Sequence, residues 1–292
     1  MTNKEWQGTT YGNGWMHHWL IVGLRYIDVR VLYVFVAIFV VPVCLLLNSS
    51  SRVIYRYFRQ RIGYGSLKAC WKTYVNHCFF SQVVIDKFAS YAGKKFQIEL
   101  EGYEYFADLA SRPEGFVQLS SHFGNYELAG YSLVAKDKRF NALVFAGEKE
   151  SVMVNRNKRF AATNIQMIAI KPDMSHVFLI DAALQRGETV SIPADRMNGS
   201  RRNVVLPFLG ALAEFPQGPF SIATMRELNV LSVSVVKIAA KKYHIRVKPL
   251  EYDKNASRQE QIRQLAEAYV NELEYNVRRY PEQWYNFYEF WK

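Results

Sequence analysis

Cysteine is scarce. The 292 residues hold three, Cys44, Cys70 and Cys78, with no CxxC pair. A disulfide framework is thereby excluded, and no zinc-ligand spacing is present. No internal repeat, low-complexity linker or long charge block interrupts the chain, and its length suits one large domain or two small ones. Half the residues are hydrophobic and 15% are aromatic, which excludes a disordered chain. Acidic residues are the minority charge, 26 against 37 Lys and Arg, leaving a net charge of +11. Such a balance asks for an anionic partner: nucleic acid, a lipid surface, or a phosphate-bearing substrate or carrier.

Two local absences narrow that choice. Residues 31–47, VLYVFVAIFVVPVCLLL, contain no charge and no polar amide. A run of that length lies at the lower edge of what spans a bilayer. Pro42 would kink a soluble helix but is tolerated within a membrane. A buried core helix is the competing reading, and 19–24 (WLIVGL) could add a shallower membrane contact. The second absence is of acid: none occurs from Asn48 to Ile85, while Arg52, Arg56, Arg59, Arg61, Lys68 and Lys72 do. A basic segment beside an apolar run is attracted to anionic headgroups and sets the following chain in the cytoplasm. Lys4, Arg25 and Arg30, ahead of the run, weaken that asymmetry.

Beyond residue 66 the pattern alternates. Residues 66–92 read as a helix. Strand-like runs follow at 96–101, 116–120, 142–146, 166–170, 189–193, 204–208, 230–239 and 243–250. Helical runs fall at 103–110, 125–135, 151–162, 173–186 and 218–228. This alternation predicts βαβ units and a largely parallel sheet covered by helices on both faces. The last two strands, joined by a short polar link, predict an antiparallel hairpin, so the sheet is expected to be mixed. A long helix closes the domain, begun by a Ser257–Glu260 capping box and ended by Pro281. The expected organisation is an N-terminal anchor and basic juxtamembrane segment over 1–62, then one α/β domain over 63–292.

The chemistry concentrates in 116–129, FVQLSSHFGNYELA. His122 lies just beyond a strand, where open α/β sheets place their sites. Glu127 follows five positions on, in the first turn of a helix, and a tight turn through Gly124 would fold it back toward the imidazole. A carboxylate on one ring nitrogen leaves the other free as a base. The matching chemistry is deprotonation of a hydroxyl or amine for attack on an acyl carbonyl. The chain has no G-x-S-x-G elbow for a serine nucleophile. A capped turn with a satisfied histidine is the bland alternative. A second cluster, 190–210, puts Asp195 and Arg196 at a strand end with Arg201 and Arg202 nearby, suited to a phosphate or a developing oxyanion. Asn125 and Gly218, the latter in FPQGPFSIA at a helix start, are further candidates for substrate contact. Lys149, Arg156 and Arg159 are candidates as well, or else a solvated helix face. The ending WYNFYEFWK suits either a membrane interface or the domain core.

Taken in order, the apolar segment, the basic flank, His122-FGNY-Glu127, the Ala-Asp-Arg triplet ending at Arg196, FLGALAEFPQGP and PEQWYNFYEFWK resemble the bacterial lipid A biosynthesis (lauroyl/myristoyl) acyltransferase family of the lysophospholipid acyltransferase superfamily. The resemblance covers most of the chain. It implies transfer of a fatty acyl chain from an acyl-carrier-protein or coenzyme A thioester to a lipid acceptor, without metal or cofactor, at the cytoplasmic face of the inner membrane. It makes His122 the general base and Glu127 its partner. One departure stands out: Arg196 occupies a place where lipid A enzymes commonly carry Gln. The surrounding sequence is closer to a branch that acylates other lipids, including aryl-polyene or flexirubin-type products and aminolipids. A non-catalytic membrane lipid-binding protein is the alternative of a different class. Nucleic-acid binding has only the net charge in its favour, with no recognition motif.

Overall fold

The computed structural model describes residues 14–145, 164–171, 173–197, 200 and 202–291. Seven strands form one mixed sheet: β1 (Gln97–Glu101), β2 (Phe116–Ser120), β3 (Phe140–Phe145), β4 (Ile165–Ile170), β5 (Thr189–Pro193), β8 (Val230–Ala239) and β9 (Lys242–Leu250). Their order is β1-β9-β8-β2-β5-β3-β4. Every neighbouring pair is parallel except the β8–β9 hairpin. The strands β6 (Asn203–Phe208) and β7 (Ala211–Pro216) make a separate antiparallel ribbon. The α/β class, the largely parallel pairing and the closing hairpin are as the sequence predicts. The ribbon partner β7 is additional.

β2 and β5 lie side by side near the middle of the sheet. All five residues of β2 are buried, because helices cover both of its faces. Val117 and Leu119 point into a core shared with Ala183 and Leu184 of the Ser175–Gln185 helix, Phe220 of the Gln217–Thr224 helix, and Leu265 and Tyr269 of the Arg258–Arg279 helix. Phe116 points the other way, toward Phe106 of the Tyr103–Ser111 helix and Leu231, Val233 and Val235 of β8. The closing helix begins as its capping box requires: the Ser257 hydroxyl accepts the Glu260 N–H at 3.4 Å.

The N-terminal helices Gly14–Tyr26 and Val29–Leu47 pack on the long Ser66–Tyr91 helix through Leu24, Val29, Tyr33, Phe88 and Ala89. The Val29–Leu47 helix has a mean hydropathy of 2.7 over its 18-residue window, yet only 17% of that window is buried in the protein. A core helix would be mostly covered. Here Phe35, Ile38, Phe39, Leu46 and Leu47 are all more than half exposed. Pro42 has no N–H and crowds the preceding turn; the wide turn Val36–Val40 just before it accommodates the break. Beyond Leu47 the basic segment folds as the Ser50–Arg56 helix with a wide last turn, Tyr57–Arg61. It sends Ile54, Tyr57 and Phe58 into the core of the α/β domain.

The aromatic C-terminus is core on its inner side. Trp284 is 1% exposed and packs edge-on against Tyr57, Phe208 and Phe290.

Candidate active site

The β2–β5 register pairs Phe116 with Thr189 and Ser120 with Pro193, a constant offset of 73 residues. Ala194 N–H donates to the Ser120 carbonyl at 3.0 Å and carries the pairing past the strand ends. Two residues past each end stand His122 and Asp195. They meet because the strands are parallel neighbours in register. The His122 backbone N–H donates to Asp195 Oδ2 at 2.9 Å, and ring Nδ1 lies 2.8 Å from Oδ1. A carboxylate only accepts, so Nδ1 carries the hydrogen and the neutral ring keeps its lone pair on Nε2. No described residue bonds Nε2. The Asp195 side chain is 2% exposed and that of His122 18%, so the pair is sealed on the aspartate side and open on the imidazole side.

Four contacts hold this turn rigid. Tyr285 N–H donates to the His122 carbonyl at 3.1 Å, and Gly124 N–H donates to the Gln283 carbonyl at 2.7 Å. Asn125 N–H donates to the Val235 carbonyl at 3.0 Å, and the Tyr269 hydroxyl to the Ser120 carbonyl at 2.9 Å. Phe123 bridges antiparallel to Trp284, so the C-terminal segment acts as a short strand clamped over the turn. Gly124 is obligatory: its φ is +61°, and a Cβ there would sit 1.6 Å from the Val235 carbonyl oxygen. The clamp is itself fixed from two sides. Asn76 donates to the Glu282 and Trp284 carbonyls, and the Gln283 side-chain amide exchanges two 2.8 Å bonds with the Lys237 backbone.

Burial lowers the His122 imidazole from its ordinary value, and the Arg196 charge lowers it further; Asp195 opposes both without overcoming them. Burial pushes the Asp195 carboxyl up, but attraction and hydrogen bonding from His122, with Arg196 assisting, leave it below its ordinary value. At neutral pH the dyad is therefore a carboxylate and a neutral imidazole, the state required of a general base.

The other expected site residues divide. Glu127 is not the carboxylate on the ring. It lies in the first turn of the Tyr126–Ser132 helix, its Oε1 is 2.9 Å from Lys87 Nζ, and its Oε2 accepts from the Tyr91 hydroxyl at 3.5 Å. Lys87 and Tyr91 belong to the Ser66–Tyr91 helix, so Glu127 ties the helix after the turn to that long helix. Asn125, expected at the substrate, is 2% exposed and directs its amide to the Tyr243 hydroxyl at 3.4 Å, so it serves the turn from inside. Asp195, expected at the substrate, bonds the His122 ring and backbone with both of its oxygens. Arg196 donates through Nη2 to the Tyr285 carbonyl at 2.7 Å and faces the Tyr288 ring at 5.7 Å, bracing the clamp beside the dyad. Gly218 opens the Gln217–Thr224 helix, with open space where a Cβ would stand. Lys149, Arg156, Arg159 and Arg201 lie outside the described residues. Sequence reasoning missed the clamp by Tyr285 and Gln283. It also missed the Asp195–His122 contact, whose available signal was that each residue stands two positions beyond its strand. Among the described residues no cluster of three or more His, Cys, Asp or Glu converges to hold a metal ion.

Residues 78–292 match the family model described as bacterial lipid A biosynthesis acyltransferase. Among solved structures the chain is similar to the 1-acyl-sn-glycerophosphate (LPA) acyltransferase PlsC from Thermotoga maritima, at 15% identity, with 90% of this chain and 97% of that one covered and a TM-score of 0.40. No curated protein matches it in sequence. The family match takes in the His122 turn, the Asp195–Arg196 strand end and the C-terminal clamp together, and the chain belongs to the bacterial lipid A biosynthesis acyltransferase family.

Proposed function

We propose that this lipid acyltransferase moves a fatty acyl chain from an acyl-carrier-protein or coenzyme A thioester to a hydroxyl (or amine) of a lipid acceptor, lipid A-like or related. His122 is the base. Nε2 takes the proton of the acceptor hydroxyl, and the oxygen attacks the thioester carbonyl. The C–S bond then breaks, and the proton on Nε2 passes to the departing thiolate. One ester forms, one thioester is lost, and the histidine returns to its starting state. Asp195 holds the tautomer and stabilises the imidazolium formed between the two proton transfers. Glu127 acts at one remove, by fixing the helix that follows the turn.

The observation that carries this reading is the His122–Asp195 pair at the carboxyl ends of two adjacent parallel strands, with Nε2 bonded by no described residue. Membrane association is supported by the exposed apolar Val29–Leu47 helix and by the lipid chemistry of the family. The acid-free basic flank favours an anchor over 1–62 that holds the 63–292 domain on the cytoplasmic face of the bacterial inner membrane. A basic surface there also suits acidic acyl carrier protein.

The test is mass spectrometry of lipids from a null background making either wild type or His122→Ala. A lipid that gains one acyl chain only with wild type is expected, and it identifies the acceptor. Identical lipid profiles, in cells shown to contain donors and candidate acceptors, would sink the catalytic reading in favour of a lipid-binding protein.

A further inference from the structure

Gln283, buried in the C-terminal clamp, joins the His122 turn to the sheet through both its main chain and its side chain. β2 stops at Ser120, and its last pair with β8 is Leu119 with Ser232. β8 runs on to Ala239, so beyond Ser232 its edge toward β2 is left for other groups to fill. Val235 and Lys237 are two residues apart, so their backbone groups face the same edge. At Val235 the edge is met by the turn itself, through the Gly124 bridge and the Asn125 N–H. At Lys237 it is met by the Gln283 side chain. The Lys237 N–H donates to Oε1, and Nε2 donates to the Lys237 carbonyl, both at 2.8 Å. A side-chain amide offers a donor and an acceptor together, as a peptide group does. Gln283 thus stands in for a strand residue where β2 has ended. A carboxylate would accept without donating, and a hydrocarbon would do neither.

The main chain of the same residue reaches the base. The Gln283 carbonyl accepts the Gly124 N–H at 2.7 Å, two positions after His122. Two residues on, the Tyr285 N–H donates to the His122 carbonyl at 3.1 Å. The Tyr285 carbonyl accepts from Arg196, the residue after Asp195, at 2.7 Å. One short segment therefore touches both halves of the dyad, and the Gln283 side chain sets its height along β8. A slip of that segment would carry the His122 backbone with it and move the imidazole against Asp195. We infer that Gln283 is a positioning residue for the His122 base, acting through the turn and not on the substrate. The inference rests on the reading of His122 as the base, but the placement of its ring is measurable without turnover.

The experiment uses the full chain in neutral detergent micelles, with isotope-labelled histidine read by NMR. The His122 Nδ1–H signal is identified as the one lost in His122→Ala, and its hydrogen bond to a carboxylate should hold it downfield. Gln283→Met keeps the side-chain length and removes both bonds to Lys237. It should displace or broaden that signal and lower kcat by about 10–10²-fold, with KM changed no more than about twofold. Gln283→Asn keeps the amide one methylene short and should fall between Gln283→Met and wild type. The control is Lys237→Met, which breaks the buried pair with Asp86 but spares the backbone groups that Gln283 uses. It should keep the wild-type signal and lose far less kcat per folded molecule. A folded Gln283→Met chain with wild-type signal and kcat would overturn the assignment. So would a Lys237→Met chain disturbed as much as Gln283→Met, because Gln283 would then act through stability alone. Should Gln283→Met not fold, Gln283→Asn carries the same comparison. A signal displaced by Gln283→Met, in a protein whose wild type transfers no acyl group, would sink the acyl-transfer reading and leave the placement of the ring by Gln283 standing.

Discussion

Asp86 and Asp195 each meet a basic group in the interior of the protein. At Asp86, Lys237 Nζ donates at 2.5 Å, and the hydroxyls of Tyr33 and Tyr243 donate as well. Lys237 is covered too, with its side chain 2% exposed and Tyr33 as a further partner at 2.8 Å. Burial pushes the Asp86 carboxyl up and the Lys237 ammonium down, yet the two hold each other and share Tyr33 as a partner. This pair is a strut: it joins the Val29–Leu47 helix, the Ser66–Tyr91 helix and the β8–β9 hairpin. At Asp195 both oxygens are used by His122, through ring and backbone, but no described residue bonds the other imidazole nitrogen. Similar burial and similar pairing thus give a structural tie in one place and the proposed base in the other. The difference is a single lone pair, just past the end of a strand, that no described residue bonds.

The largest effect that could break this comparison is at His122. His122→Ala should cost about 10²–10⁴-fold in turnover per folded molecule and leave vesicle binding as in wild type, while lowering the melting temperature because buried Asp195 loses its ring partner. Residual turnover within about tenfold of wild type would remove His122 from the base role.

The strut should behave the other way. Lys237→Met leaves Asp86 buried without its cation, and unfolding in denaturant should report a loss of about 3–5 kcal/mol. Turnover per folded molecule should change far less than in His122→Ala, and adding Asp86→Asn should restore part of the stability. Full stability with lost turnover would mean that Lys237 belongs to the chemistry.

The smallest effect sharpens the electrostatics. Because burial and Arg196 hold the His122 imidazole below its ordinary value of 6.5, kcat/KM should rise with pH through a limb below that value and be flat around neutrality. Removing a neighbouring positive charge makes the imidazolium less costly, so Arg196→Gln should move that limb to higher pH. A limb that moves down, or stays, would contradict the assigned influence of Arg196.

Much of the architecture was legible because its signals are local. The apolar runs at 116–120 and 189–193, the capping box at Ser257 and the 17-residue apolar segment each reveal an element from its own residues. β7 lies outside every expected element: its six residues, ALAEFP, are too short a run to stand out between the 204–208 strand and the 218–228 helix. The two-residue Leu209–Gly210 turn, with φ of +50° and +81°, was the overlooked hairpin signal. The site was half legible. His122 and Asp195 each stood out as polar residues at strand ends, but their pairing depends on β2 lying beside β5, a long-range fact that spacing along the chain does not encode. Glu127 misled for the converse reason. Its closeness to His122 in sequence suggested contact, whereas its helix turns it toward Lys87. Composition could not assign the C-terminal aromatics, and only the burial of Trp284 against Phe208 and Tyr57 decided for the core.

The central claim is that Asp195, not Glu127, completes the base. The direct measurement is kcat/KM for acyl transfer by Asp195→Asn and Glu127→Gln, assayed side by side with the lipid acceptor identified in cells. Asp195→Asn removes the carboxylate that fixes the tautomer and should cost the greater part of what His122→Ala costs, as loss of the orienting acid does in other histidine-based sites. Glu127→Gln removes a tie to Lys87 and should cost much less, through a modest loss of stability. A Glu127→Gln enzyme crippled as deeply as His122→Ala, beside an Asp195→Asn enzyme near wild type, would contradict the account.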